Sequence, residues 1–133
     1  MKIGLGVYNI LSNNSDVTDL VSTRIYPNVA RQSSAFPFLV YQVTGDEPTD
    51  TKDGPSVLDT NSVEVICYSE SYIQASDLAD KVRTALDRTT GTHGGLSIQG
   101  TTFGGYSEDF DIKGDDEGVY VKSLDFKIRQ LIT

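Results

Sequence analysis

The chain has no tryptophan and only one cysteine, one histidine and one methionine in 133 residues. A single cysteine excludes an internal disulfide and fits a reducing compartment. One Cys with one His also excludes a zinc ligand set of the usual kind. Positive charge is scarce: 11 Lys and Arg stand against 19 Asp and Glu, for a net charge of -8. Electrostatic binding to nucleic acid needs clustered Lys and Arg, so the charge argues against that class. Long apolar runs are missing as well. "IGLGVYNIL", residues 3–11, is short, is broken by Asn9 and is followed by no small-residue cleavage site. Neither a signal peptide nor a membrane span is expected from it, and a soluble product made in the cytoplasm is the expectation.

What is present suits one domain, 1–133, of a length that buries roughly two-thirds of its unfolded surface without disulfide or metal. The acidity is local. Residues 45–59 sum to -4 and residues 107–118 to -5, which leaves the rest at +1. The bland reading is two solvated acidic loops on a nearly neutral body.

Residues 3–12 place Ile3, Val7, Ile10 and Leu11 at helical spacing, and Gly4 and Gly6 weaken that helix. Asn13-Asn14-Ser15 ends it and offers an N-cap for a short turn over 16–21. "RIYP" is a short extended piece closed by Pro27. Residues 38–44 alternate, with Phe38, Val40 and Gln42 on one face and Leu39, Tyr41 and Val43 on the other. A long acidic turn over 45–61 then leads to a strand at 62–68, with Val63, Val65 and Cys67 sharing a face. The two strands read as a hairpin. "SESYIQASDLADKVRTALDR" is the clearest helix, with a Ser71/Gln74 capping box and an apolar stripe of Ala75, Leu78, Ala79, Val82, Ala85 and Leu86. "TTGTHGG" ends it, and strands follow near 95–102, 105–112 and 118–131. In the last, Val119 and Val121 are out of phase with Leu124, Phe126 and Ile128, which predicts a bulge near Ser123. The fold class is α+β: an antiparallel or mixed sheet with two main helices packed on one face.

The case for catalysis is thin, and no enzyme and no cofactor are expected. His93 lies in a Gly-rich turn, and Cys67 fits the inward alternation of a strand, where a thiol is an inert small hydrophobe. The paired carboxylates sit in the two acidic stretches, and nothing in the sequence suggests a pocket to separate their pKa values. "DFDIKGDDEGVY" sets Asp109, Asp111 and Gly114 at calcium-loop spacing, but Lys113 and Tyr120 occupy two ligand positions. The inward faces read as plain Val, Leu, Ile, Cys and Ala, which disfavours a small α+β ligand-binding domain. Long loops and the aromatic-proline stretch point instead to protein–protein contact.

Three segments carry a resemblance: Arg24-Ile25-Tyr26-Pro27, Phe36-Pro37-Phe38, and a strand that runs into a helix ending Val82-Arg83-Thr84-Ala85-Leu86. Their order and spacing over roughly residues 1–90 resemble the small tail completion, or tail terminator, proteins of long-tailed bacteriophages. The resemblance implies a structural virion protein of the tail or neck, assembled in the host cytoplasm. It implies a homo-oligomeric, hexameric ring that caps the head-proximal end of the tail tube and joins it to the head-side connector or stopper. Its partners would be the tail tube protein, that connector, and DNA passing through the bore without specific binding; no membrane is involved. A head-side joining protein is the alternative. The interface candidates are Arg24, Tyr26, Phe36, Phe38 and Tyr41, since Arg and aromatics favour interfaces. Arg24 has a plainer alternative, bonding to a nearby helix C-terminus. The strand at 38–44 or the long C-terminal strand is expected to add to a neighbour's sheet edge. Asp115, Asp116 and Glu117 are candidates for an acidic loop facing the bore.

Overall fold

The computed structural model describes residues 2–30, 34–48, 58–113 and 117–131. Three helices, α1 (Ile3–Ser12), α2 (Ser15–Val21) and α3 (Tyr72–Leu86), lie with six strands: β1 (Ile25–Pro27), β2 (Phe38–Pro48), β3 (Leu58–Ser69), β4 (Gly91–His93), β5 (Leu96–Lys113) and β6 (Glu117–Leu131). The sheet order is β1-β2-β3-β6-β5-β4. β1 runs parallel to β2, and every other pair is antiparallel. This is the expected α+β class with a mixed sheet.

Side-chain caps open α2 and α3, whereas α1 starts without one. The Asn14 side chain accepts the Val17 N–H at 3.2 Å and opens α2. Ser71 accepts the Gln74 N–H at 3.4 Å, but the expected capping box is altered. The Gln74 Oε1 accepts from the Ser69 hydroxyl at 2.8 Å, and the Ser69 Oγ accepts the Ser71 N–H at 3.1 Å. A second serine thus relays the return bond, because it ends the preceding strand and faces the helix.

The core lies between the helices and one face of the sheet. Ile3, Val7 and Leu11 of α1 and Leu78, Val82 and Leu86 of α3 pack over Leu39, Val63, Val65, Leu124, Phe126 and Ile128. Two glycines let α1 come close. An added Cβ on Gly6 would meet the His93 carbonyl at 3.4 Å, and one on Gly94 would meet the Leu5 carbonyl at 3.0 Å. The helix propensity lost at Gly6 is therefore offset by tight packing against the β4–β5 turn.

Four expectations need correction. The strands read at 95–102 and 105–112 are one strand, β5, which carries a bulge at Gly104-Gly105: the register shifts between Phe103 and Gly105, and Gly105 has φ +137°. The terminating "TTGTHGG" holds β4 and a two-residue turn at Gly94 and Gly95, both at positive φ. β6 keeps a continuous register through Ser123 against both neighbours. Its phase change arises because Lys122, not an apolar residue, fills an inward position. Finally, β6 is paired on both sides from Tyr120 to Leu131, so over that length the C-terminal strand has no free edge to add to a neighbour.

Phe126 is 1% exposed at the centre of this packing. Phe126→Ala is expected to lower unfolding free energy by about 3–5 kcal/mol in denaturant titration, through lost burial and a residual cavity. A loss under about 1 kcal/mol would show that the centre lies elsewhere.

Candidate interaction surfaces

Three of the five interface candidates, Tyr26, Phe36 and Phe38, meet on the sheet face away from the helices. Phe38 stacks on Tyr68 at 4.7 Å between ring centroids, with Phe36 at 5.1 Å and Tyr26 edge-on at 6.1 Å. These distances fall in the range of favourable ring pairs. Arg24 ties the cluster in place: its Nε donates to the Pro37 carbonyl at 2.9 Å and its guanidinium to the Leu20 carbonyl at 3.3 Å. The second bond reaches the last turn of α2, where a cation complements the helix dipole. The Tyr26 hydroxyl bonds the Ser34 hydroxyl at 2.9 Å. Arg24, Tyr26 and Phe36 are half-buried, whereas Phe38 is buried. Tyr41 is separate. Three positions along a strand from Phe38, it points to the helix face, packs on Tyr8 at 6.2 Å and is 8% exposed. Burial and the neighbouring Tyr8 push its phenol pKa up.

The acidic stretches are not loops throughout. Asp46 and Glu47 lie on β2 opposite Asn61 and Thr60, Asp59 lies on β3, and Glu108 and Asp109 lie on β5 opposite Lys122 and Val121. Asp115 and Asp116 fall outside the described residues, and Glu117 opens β6. The calcium-loop spacing falls on this β5–β6 hairpin, with Asp109 and Asp111 on one strand and Tyr120 on the other. No group of three or more His, Cys, Asp or Glu able to hold a metal occurs among the described residues.

The two acidic hairpin ends lie far apart. β2 and β3 join beyond the Pro48–Asp59 pair, at the end of the sheet where Leu131 of β6 sits. β5 and β6 join beyond Lys113–Glu117, past the other end of β3, where Ser69 pairs with Tyr120. The twelve residues of β3 separate them by roughly 40 Å at strand rise.

One cluster escaped the sequence reading. Lys122, with a side chain 6% exposed, reaches Glu108 Oε1 at 2.5 Å. The Tyr72 hydroxyl donates to the two Glu108 oxygens at 3.1 and 3.3 Å, and the Tyr106 hydroxyl to Oε1 at 3.3 Å. The Lys122 ammonium also lies over the Tyr72 ring at 4.3 Å. The Lys122 and Tyr72 bonds hold the Glu108 carboxyl below the usual glutamate range. Burial alone would lower the Lys122 pKa; Glu108 and Tyr72 outweigh it, and the ammonium lies above its ordinary value. The cluster fastens the β5–β6 hairpin to the first turn of α3. Its signal was the lysine that breaks the apolar phase of the last strand. With Asn61, Ser69, Thr101 and Gln130 also buried, the inward faces are less uniformly apolar than expected.

The thiol–imidazole pair is not brought together. Cys67 is fully buried on β3, and burial pushes its thiol pKa far up. His93 sits on β4, with β5 and β6 between it and β3, and bonds the Thr90 carbonyl at 2.9 Å.

The chain is similar to known proteins over almost its whole length. The family model for "Tail completion protein gp17" matches residues 6–131. A solved chain from "Virion of native gene transfer agent (GTA) particle" aligns with TM-score 0.70 and 17% identity, covering 95% of this chain and 92% of its own; at that identity it shows a shared fold. A second solved chain aligns at TM-score 0.49 and 13% identity, over 88% of this chain and 87% of its own. No curated protein matches.

Because the Glu108 pKa is depressed, its contribution to stability is present above the ordinary glutamate value of about 4.3 and is lost as pH falls through the lower folded value. Glu108→Gln is therefore expected to be less stable than the parent chain at neutral pH. The difference should vanish in acid, in thermal melts taken across the carboxylate range. A gap that is constant with pH would show that the Glu108 charge contributes nothing.

Proposed function

The chain belongs to the family of tail completion protein gp17, so its role is structural and tied to a virion's tail, and we propose that it caps the head-proximal end of the tail tube as a ring. The ring, of six copies, stops tube growth and presents its other face to the head-side connector or stopper. The observation that carries this reading is the placement of the two hairpin ends at opposite ends of one sheet. A subunit with its strands along the ring axis then offers one end to the tube and the other to the connector. Two unlike axial faces are what a component between two different partners needs. Of the interface candidates, Tyr26 and Phe36 keep part of their surface for a neighbour, and Arg24, Phe38 and Tyr41 act by holding the surrounding surface in shape.

The reading also gives the acidity a use. With a net charge of -8 and both hairpin ends acidic in sequence, a bore lined by Asp115, Asp116 and Glu117 repels passing DNA rather than binding it.

Particles assembled without this chain are expected to show tubes of uncontrolled length that carry no heads, and the purified chain should restore length and joining in electron micrographs. Tubes of normal length that only fail to join heads would assign the chain to the head side. Normal joined particles would overturn both roles. Replacing Asp115, Asp116 and Glu117 together with Ser is expected to slow DNA ejection; unchanged ejection and infectivity would remove these residues from the bore.

A further inference from the structure

Both lateral edges of the sheet carry exposed apolar side chains. On one edge β1 is only three residues long. Leu5, Tyr8, Val29 and Val43 stand around it, 58%, 42%, 76% and 42% exposed. The other edge is covered along part of its length. β4 pairs with Leu96–Ile98, and residues 87–89 bond Thr101 and Phe103. From Gly104 onward no described backbone pairs with the outer side of β5, and Tyr106 and Phe110 are 59% and 47% exposed.

The two open edges stand at one height. Pro27 of β1 is level with Tyr41 of β2, Tyr41 with Val65, Val65 with Leu124, and Leu124 with Tyr106. They also run in opposite directions. β1 is parallel to β2, and three antiparallel steps lead from β2 to β5. A rotation axis along the strands keeps each strand's direction, so it would bring β5 of one copy antiparallel to β1 of the next. Level edges give no rise per subunit, which is the condition for closing a ring instead of winding a filament. Charge is complementary too: Lys2 lines the groove beside Leu5 and Val43, and Asp109 is exposed on the β5 edge.

We propose that the occupant of each edge is a second copy of this chain, the β1 edge of one subunit seated against residues 104–110 of the next, head to tail. This rests on the ring reading above and names its lateral contact. The two surfaces differ, so the contact is heterologous and repeats around the ring. Strand addition supplies general affinity, and the apolar side chains on the two edges set the register.

The test uses the full chain with Val29→Cys and Tyr106→Cys, assembled into particles and mildly oxidised. Both positions are exposed, and the native Cys67 is buried, so no competing link is expected. A ladder of covalent multimers beyond the dimer on denaturing gels is the expected result, with neither single variant passing the dimer. Dimers alone from the double variant would overturn the head-to-tail arrangement. Monomers alone, in particles where microscopy shows the chain as a ring, would overturn these two edges as the contact. No ring in the particles at all would overturn the functional reading itself.

Discussion

The double pairing of β6 is the constraint on which the rest of the structure depends. β6 is hydrogen-bonded to β3 on one side and β5 on the other. Its inward row, Leu124, Phe126 and Ile128, is 0–2% exposed and forms the floor on which the helices rest. Both neighbours take their register from this strand, so its position sets where each hairpin ends and how high each open edge stands. Apolar burial drives the packing, but the shared ladder decides which residues lie side by side.

The same row explains the Lys122 cluster. One step past Leu124 along the inward face, the cover provided by α3 ends at its first turn, beside Tyr72. A charged residue is tolerated there because its long stem lies along apolar surface while its head meets Glu108 and two tyrosine hydroxyls. Removing one partner from such a group is costly, since the remaining charge stays desolvated. The device fixes the β5–β6 hairpin against the helix, and so fixes the orientation of one acidic end of the molecule.

Acidic residues also guard the open strands. Asp46 and Glu47 lie on the part of β2 that β1 does not cover, and Glu108 and Asp109 lie on the uncovered part of β5. Charge on a free edge discourages indiscriminate pairing.

Local rules made much of the fold legible. The α3 stripe with its Ser71 cap, the Asn14 cap of α2, the Pro27 stop and the alternation of Val63, Val65 and Cys67 each follow from interactions within a few residues, which a sequence displays directly. The three segments that resemble tail completion proteins lie in these same local elements. What the sequence could not decide is what depends on strands meeting across the chain. Residues 95–112 read as two strands until β6 lies opposite and joins them across a bulge at Gly104. Lys122 reads as a slip in phase until Glu108 and Tyr72 arrive to hold it. The alternation of residues 38–44 already sets Tyr41 and Phe38 on opposite faces, but only the fold shows that α1 covers the first and an aromatic cluster takes the second. By itself the sequence determined the helices, the middle of the β2–β3 hairpin and the family. Only the tertiary structure decided which edges are open and that they stand level, because strand order and register come from long-range pairing, and nothing in the spacing of one strand encodes its neighbour.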